Sequence, residues 1–214
     1  VFRRTMARIS ERLPALLQQA SNLTTRSRVL GRPGLSTGIW YPGKFEPTVH
    51  LPQAVAAGFA AIELNLFLGV KHFDFHDPHQ LRHLRQVAGD LGVEIWSIHD
   101  PNCPHAPGAL NPTARQAALD ELKRALEVAH YLGASAVPNH ALAHHGYRDP
   151  AVADLECGYE ALMSLQPVIR ASGARLAIEN GYPGARRMLP YFARLPADTF
   201  GFVLDTGHAN LDEA

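Results

Sequence analysis

The sequence has little cysteine, no long apolar run and no excess of charge of either sign. Its two cysteines, Cys103 and Cys157, fit no metal or redox spacing, which indicates a reduced compartment. No stretch reaches the roughly 18 uninterrupted apolar residues that a membrane helix needs, and no apolar signal core follows the arginines near the N-terminus. We therefore expect a cytoplasmic protein with no membrane partner.

The charge balance also narrows the class of partner. Lys plus Arg and Asp plus Glu both number 20, which argues against a nucleic acid as the partner. No glycine-rich phosphate fingerprint follows the first predicted strand, so a dinucleotide-binding fold is not indicated. Histidine is abundant instead, with 12 copies. Because histidine is a common metal ligand and carries protons near neutral pH, its placement matters for function.

Residues 1–34 are predicted to form an appended helical arm and a linker. Met6, Ile9 and Leu13 begin an apolar series at helical spacing, and a polar segment with Pro and Gly follows it. Residues 35–214 are then long enough for one domain with a core of its own.

Three helices in this domain share the same start and stop signals. An Asn or Asp cap precedes a proline in the first turn, where the missing N–H costs nothing, and a glycine ends each helix. The three run from Asp77–Pro78 to Gly92, from Asn111–Pro112 to Gly133, and from Asp149–Pro150 to Gly173.

Six short, apolar segments are predicted to be strands, and helices separate most of them. They are LSTGIW (35–40), FAAIELN (59–65), VEIWSIH (93–99), SAVPNHA (135–141), RLAIEN (175–180) and GFVLDT (201–206). This pattern is typical of parallel strands that are buried on both faces. It leaves two α/β architectures, a doubly wound sheet and a (β/α)8 TIM barrel.

Polar residues at the strand ends favour the barrel. Glu63, His99, His140, Glu179 and Asp205 each end a different strand. In a barrel all strand ends face one mouth, whereas an open sheet gathers its function at one switch point. A complete barrel has roughly 250 residues, so we expect only its first six βα units here, after the arm.

Glu179 and Asp205 end adjacent predicted strands, which suggests a metal site. Two converging carboxylates repel each other unless a cation lies between them. The structural alternative is that one carboxylate caps the next helix and the other forms a salt bridge. His208 follows Asp205 by three residues and could bind a second metal, hold a substrate hydroxyl or face solvent.

The residues predicted to contact substrate differ in chemical type. His99 and His140 occupy matching positions on successive strands and are interpreted as a polar pocket. Glu63 could hold substrate or pair with a neighbouring histidine. Trp40 could form an apolar wall against a sugar face or belong to the core.

Two further histidine clusters carry weaker signals. His79 and His83 lie four apart on a predicted helix, and a solvated helix face is the better interpretation because no carboxylate or cysteine joins them at helical spacing. His144, His145 and Arg148 lie in a predicted loop that could contact an anionic substrate group.

The motifs WSIHDP, AVPNHA, LAIEN and VLDTGH, in this order, resemble the xylose-isomerase-like TIM-barrel superfamily. It includes the sugar phosphate isomerases/epimerases and the AP endonucleases of the endonuclease IV type (AP endonuclease family 2). The resemblance covers roughly residues 35–210. It implies a barrel that stops after its sixth strand in this sequence.

In the isomerase and epimerase branch, the resemblance implies a divalent metal (Mn, Mg, Co or Zn) held by Glu179 and Asp205. A His and a Glu from strands 7 and 8 complete that site in the family, and they have no counterpart among these residues. His208 then contacts a sugar or polyol substrate, and Glu179 transfers the proton through a metal-stabilised enediolate.

Two alternatives remain. In the endonuclease branch, the resemblance implies a multi-zinc site that also uses His99 and His140, with Glu179, Asp205 and His208 shared. The other alternative is a non-catalytic sugar-binding module. Whether the protein forms a homo-oligomer stays open.

Overall fold

The computed structural model describes residues 33–67, 72–101, 106–140, 154–180 and 185–212. The predicted arm up to residue 32, Cys103, and the loop with His144, His145 and Arg148 lie outside these residues, as does the predicted helix start at Asp149–Pro150. Statements about the fold concern the described residues.

Six strands form one sheet in chain order. They are β1 (Gly34–Ser36), β2 (Ala61–Asn65), β3 (Glu94–His99), β4 (Ala136–Asn139), β5 (Arg175–Glu179) and β6 (Phe200–Val203). The ladders are parallel, with Asn139 opposite Ile178 and Glu179 opposite Val203. The prediction of a parallel α/β sheet is therefore confirmed, and the carboxyl ends of neighbouring strands lie side by side.

Seven α-helices accompany these strands in the described part of the chain. They are α1 (Pro47–Ala56), α2 (Pro78–Leu91), α3 (Pro112–Leu132), α4 (Leu155–Ser164), α5 (Gln166–Ser172), α6 (Ala185–Phe192) and α7 (Thr206–Asp212). None of them is both long enough and apolar enough to span a bilayer.

The capping signals of α2 and α3 act as predicted. Asp77 accepts a hydrogen bond from the His79 N–H at 2.8 Å, and Asn111 accepts one from the Ala114 N–H at 3.1 Å. Each side chain thereby satisfies an N–H that has no partner within its own helix. Both helices end at a glycine in the left-handed conformation.

The third predicted helix is not continuous. Its described part consists of α4, which Asp154 caps, and α5, with Leu165 at the break. Pro167 accounts for the break, because its ring has no N–H to donate and would clash with the carbonyl of the preceding turn. Gly173 ends α5 in the left-handed conformation, as predicted.

The first strand is shorter than predicted. It ends at Ser36, and residues 37–40 form a 3-10 helix with Trp40 as its last residue. The Ser36 hydroxyl accepts a hydrogen bond from the Gly38 N–H at 3.3 Å and so caps this turn. A local side-chain bond of this kind competes with continued strand pairing.

The chain forms two compact units, and each has its own buried side chains. The first includes residues 33–65 and 72–96, and Leu51, Ile62 and Leu84 are fully buried in it. The second includes residues 66–67 and 97–212, and its fully buried side chains include Leu126 and Leu176. The candidate centre described below lies entirely in the second unit.

Two glycines, one inside α2 and one directly after it, test how the helix ends. Gly92 has a φ of +65°, whereas Gly89 lies inside the helix, and an added Cβ would meet no atom within 4 Å at either position. We expect Gly92→Ala to lower the free energy of unfolding by about 1–2 kcal/mol, because L-residues are strained in that conformation. Gly89→Ala should raise it by about 0.5–1 kcal/mol.

Denaturant unfolding of both variants measures this difference. The two substitutions add the same methyl group to the same helix, so they control for each other. Equal effects at the two positions would contradict the assigned helix end.

Candidate metal centre at the strand ends

Glu179, the last residue of β5, is the centre of a polar cluster. It is 4% exposed, and three imidazoles surround its carboxylate. The Nε2 atom of His99 lies 3.3 Å from Oε2, while Nε2 of His140 and Nδ1 of His208 lie 3.6 and 3.2 Å from Oε1. An unpaired carboxylate at this depth would be strongly destabilising, so these contacts account for its burial.

Asp205 joins this cluster and also caps a helix. Its Oδ1 accepts a hydrogen bond from the His208 N–H at 2.9 Å, at the start of α7. Its Oδ2 lies 3.8 Å from Nδ1 of His208. The sequence left metal ligation and helix capping as alternatives for this carboxylate. In the structure one oxygen caps the helix, and the second oxygen remains for a metal.

The surroundings of Asp205 favour its charged form. Burial by itself would raise the pKa of this carboxyl. The backbone N–H groups of His208 and Gly207 and the His208 ring outweigh burial and lower the pKa below its ordinary value. Asp205 is therefore a carboxylate at neutral pH, which is the form that binds a cation.

Asn180 fixes the backbone that carries Asp205. Its Oδ1 accepts a hydrogen bond from the Asp205 N–H, and its Nδ2 donates one to the Asp205 carbonyl at 2.8 Å. The main-chain carbonyl of Asn180 lies 2.9 Å from Nδ1 of His208. Because a carbonyl only accepts hydrogen bonds, Nδ1 is the protonated nitrogen of that ring.

Asp100 lies behind the other two histidines. Its Oδ1 is 3.3 Å from Nδ1 of His99 and 3.9 Å from Nδ1 of His140, and its Oδ2 accepts a hydrogen bond from Asn139. Burial would raise the pKa of this carboxyl, but the two histidines outweigh burial and lower it. A second buried carboxylate therefore carries its charge beside the candidate centre.

Two overlapping groups of side chains could each hold a metal ion. One is His99, His140 and Glu179, and the other is Glu179, Asp205 and His208. Within each group the candidate ligand atoms lie within 4.8 Å of one another. Two charged carboxylates this close repel each other, and a divalent cation offsets that repulsion. The residues present therefore fit a divalent metal.

Comparison with known proteins identifies the family. Residues 51–214 match the family model for the xylose isomerase-like TIM barrel. The chain belongs to this family. A search of curated proteins gave no match.

Solved structures share the fold of this xylose isomerase-like chain. A D-tagatose 3-epimerase-like protein is 19% identical with a TM-score of 0.66, and the match covers 83% of this chain and 66% of that one. A D-psicose 3-epimerase solved with D-fructose is 17% identical with a TM-score of 0.65, covering 84% and 65%. A Thermus thermophilus protein, TTHB071, soaked with ZnCl2, is 22% identical with a TM-score of 0.62, covering 83% and 67%. The chain thus spans about two thirds of each neighbour's length.

The structure brings together five of the seven site residues predicted from the sequence. Their side chains form the cluster described above; they are His99, His140, Glu179, Asp205 and His208. The other two, Glu63 and Trp40, belong to the first unit of this xylose isomerase-like chain. Glu63 is half-buried on β2, and Trp40 stacks on Phe45 with ring centroids 5.5 Å apart. Their substrate roles remain predictions.

The paired histidines of α2 lie on a solvated helix face, as expected. His79 and His83 are both exposed. Nδ1 of His79 lies 2.8 Å from the guanidinium of Arg82 on the same helix. This contact is local to the helix surface.

Three polar residues of the centre were missed in the sequence. Asp100, Asn139 and Asn180 are all buried and contact the cluster through hydrogen bonds or ion pairs. Each is the immediate neighbour of a predicted site residue, in the pairs HD, NH and EN. Two adjacent polar residues at the end of an apolar strand were the available signal.

Asn180→Ala tests the clamp on Asp205. The substitution removes both side-chain hydrogen bonds to the Asp205 backbone, and we expect it to lower the free energy of unfolding by about 1–3 kcal/mol. Gln116→Ala is the matched control, because it removes one exposed amide hydrogen bond to Asp120 and should change stability by less than about 0.5 kcal/mol. Denaturant titration measures both, and equal effects would contradict the clamp.

Proposed function

We propose that this protein is a divalent-metal-dependent isomerase or epimerase of sugars that acts by proton transfer. The observation that carries the proposal is the meeting of Glu179, Asp205 and His208 at the carboxyl ends of neighbouring strands. The family assignment supports this class of enzyme, and structures with the same fold are named as sugar 3-epimerases.

Glu179 and Asp205 would hold the metal. Carboxylate oxygens suit Mg²⁺ and Mn²⁺, and imidazole nitrogens suit Zn²⁺, so this mixed set fits Mn²⁺, Co²⁺ or Zn²⁺ as well as Mg²⁺. When bound, the ion supplies Lewis-acid polarisation of a substrate carbonyl. The Asn180 clamp holds the Asp205 backbone in place, so that little rearrangement would be needed on binding.

Glu179 would accept the proton from the carbon next to that carbonyl. Its two oxygens face different imidazoles, Oε2 facing His99 and Oε1 facing His140 and His208. One oxygen would take the proton while the other stays anchored by its imidazole contacts. Return of the proton to the neighbouring carbon would isomerise the sugar, whereas epimerisation would need a second acid that delivers a proton to the opposite face of the same carbon.

His208 would orient the substrate. Its Nδ1 donates to the carbonyl of Asn180, which fixes the plane of the ring. Because Nδ1 already donates this hydrogen bond, the fixed ring is better suited to binding a substrate hydroxyl than to binding the metal through Nδ1. His99 and His140, both only partly buried, are the further candidates for hydroxyl contacts.

Metal binding tests the first step of the proposal. Protein stripped with a chelator and then titrated with Mn²⁺ or Zn²⁺ should bind the ion, as measured by calorimetry. Glu179→Gln and Asp205→Asn should each weaken binding by more than about 100-fold, since loss of a ligand exceeds the ~10–100-fold effect of an outer partner.

His79→Ala is the control for this measurement. It removes an exposed histidine that lies outside the cluster and should leave the affinity unchanged. An Asp205→Asn variant that binds the metal ion as tightly as the wild type would contradict the metal dependence of the proposed function.

Proton exchange tests the chemistry directly. D-fructose, D-tagatose or D-psicose incubated with the protein and metal in deuterated water should take up deuterium at the carbon next to the carbonyl. Glu179→Gln should slow this exchange by about 10²–10⁴-fold, which is the usual contribution of a general base. Mass spectrometry of the sugar measures the uptake, and undiminished exchange in the variant would show that another group is the base.

A second candidate function rests on the group formed by His99, His140 and Glu179. Zinc-dependent AP endonuclease activity, the other branch that the sequence resembles, would use these histidines as ligands. Cleavage of an oligonucleotide with one abasic site, dependent on Zn²⁺ and lost in His140→Gln, would favour this function over the isomerase. The equal numbers of acidic and basic residues argue against it.

A further inference from the structure

The outward face of α1 is apolar and carries no charge. Val49 is 50% exposed and Val55 is 39% exposed. Pro52 and Ala56 lie on the same face at helical spacing and are exposed as well. Of the seven helices in the described part of the chain, α1 alone has no charged residue, whereas the neighbouring α2 has three. A helix face that stays in water normally carries charged residues, so the composition of this face is that of a covered one.

The inward side of α1 is fixed by the core of the first unit. Leu51 and Ala54 are almost fully buried there, and α1 also packs against α2. These contacts hold the helix without help from its outward face. A substitution at Val49 therefore tests the outward face and leaves the core unchanged.

A segment of matching composition precedes β1 in the chain and lies outside the described residues. Residues 13–25 contain no charged side chain. Their apolar residues recur at the spacing of one helix face; they are Leu13, Leu16, Leu17 and Ala20. Pro14 stands in the first turn of such a helix, where proline is tolerated. A helix this short is marginal in water unless its apolar face packs on a partner surface.

The chain enters the sheet beside the end of α1. Gly34 opens β1 and lies opposite Ala61 of β2 in the parallel ladder. Ala61 follows Ala56, the last residue of α1, by five residues, which is at most about 18 Å of chain. Residues 24–33 reach about 33–36 Å when extended. The charge-free segment can therefore reach the outward face of α1 without leaving the first unit.

The net charges of the two parts favour the same contact. Residues 1–32 contain seven arginines and one acidic residue, so their side chains carry a net charge of +6. Residues 33–96 contain four basic and six acidic residues, a net charge of −2. Opposite net charges attract the two parts to each other, and the two charge-free surfaces are those that lose least on being removed from water.

We propose that residues 13–23 form a helix that packs on the outward face of α1, with the leucines of its apolar face against Val49 and Val55. The occupant of this face is thus a segment of the same chain. The contact does not depend on the proposed function, since α1 belongs to the first unit and the candidate metal centre lies in the second.

Hydrogen exchange of the full chain, measured by mass spectrometry of its peptides, tests the contact. We expect the amides of residues 15–23 to be protected in the wild type. Val49→Asp places a charge in the contact and should speed their exchange by at least about tenfold, because an unpaired buried charge is strongly unfavourable. Val55→Asp is a second substitution of the same face, should Val49→Asp not fold. Unprotected amides in the wild type, or unchanged exchange in these variants, would overturn the proposal.

Leu189→Asp is the matched control for the face. Leu189 is an exposed apolar residue of α6 in the second unit, so its substitution should leave the exchange of residues 15–23 unchanged. Release of the segment by Leu189→Asp and not by Val49→Asp would place it on the second unit and overturn the proposal. Protection that arises only as light scattering detects dimers would identify a second copy as the occupant, which would also overturn it.

Leu17→Asp makes the reciprocal change in the segment itself. It should speed exchange as much as Val49→Asp does, and the double variant should show no further increase, because the two side chains belong to one contact. Gln18→Asp is its control, since Gln18 lies on the opposite face of the predicted helix. Independent, additive effects of Leu17→Asp and Val49→Asp would show that the two residues do not share a contact.

Discussion

The burial of the Glu179 carboxyl group in the protein interior is the constraint on which the rest of the centre depends. A carboxylate that is 4% exposed needs nearby donors or a cation, because burial strongly disfavours an isolated charge. Imidazoles from three other segments lie 3.2 to 3.6 Å from its oxygens in the described structure. The same arrangement places the Asp205 carboxylate close enough to share an ion with Glu179. The polar contacts of one buried group therefore define the candidate centre.

The parallel sheet makes this meeting of side chains possible. His99, His140 and Glu179 stand at the ends of β3, β4 and β5, and the register pairs Glu179 with Val203 on β6. Asp205 comes two residues after Val203, at the turn into α7. Residues that are far apart along the chain thus share one edge of the sheet, as in other folds where parallel strand ends carry the function.

Buried polar residues around the centre also hold its candidate ligand groups in position. Asn180 bonds the backbone on both sides of Asp205, and Asp100 faces the two histidines from behind. A site whose groups are already oriented needs less rearrangement when an ion or substrate binds. The scaffold is that of the xylose isomerase-like family, and the proposed chemistry is proton transfer on a sugar. These local hydrogen bonds and ion pairs would decide how well this chain performs it.

Much of the fold was predictable because its signals are local. The cap, proline and glycine around α2 and α3 act within a few residues of one another, so they could be identified without tertiary information. The apolar strands and the polar residues at their ends were equally visible, and the family resemblance followed from them. The break at Leu165 was missed because the start and stop signals suggested one helix, whereas Pro167 interrupts its hydrogen bonding.

The sequence by itself determined which residue types stand at the strand ends, and hence that carboxylates and imidazoles would gather there. Only the tertiary structure decided which atom of each side chain faces which neighbour. It showed that one oxygen of Asp205 caps α7 while the other faces His208, and that Asp100 and Asn180 belong to the centre. The reason is physical, because the direction of a side chain depends on strand register and on the groups packed around it. Spacing along the chain carries neither.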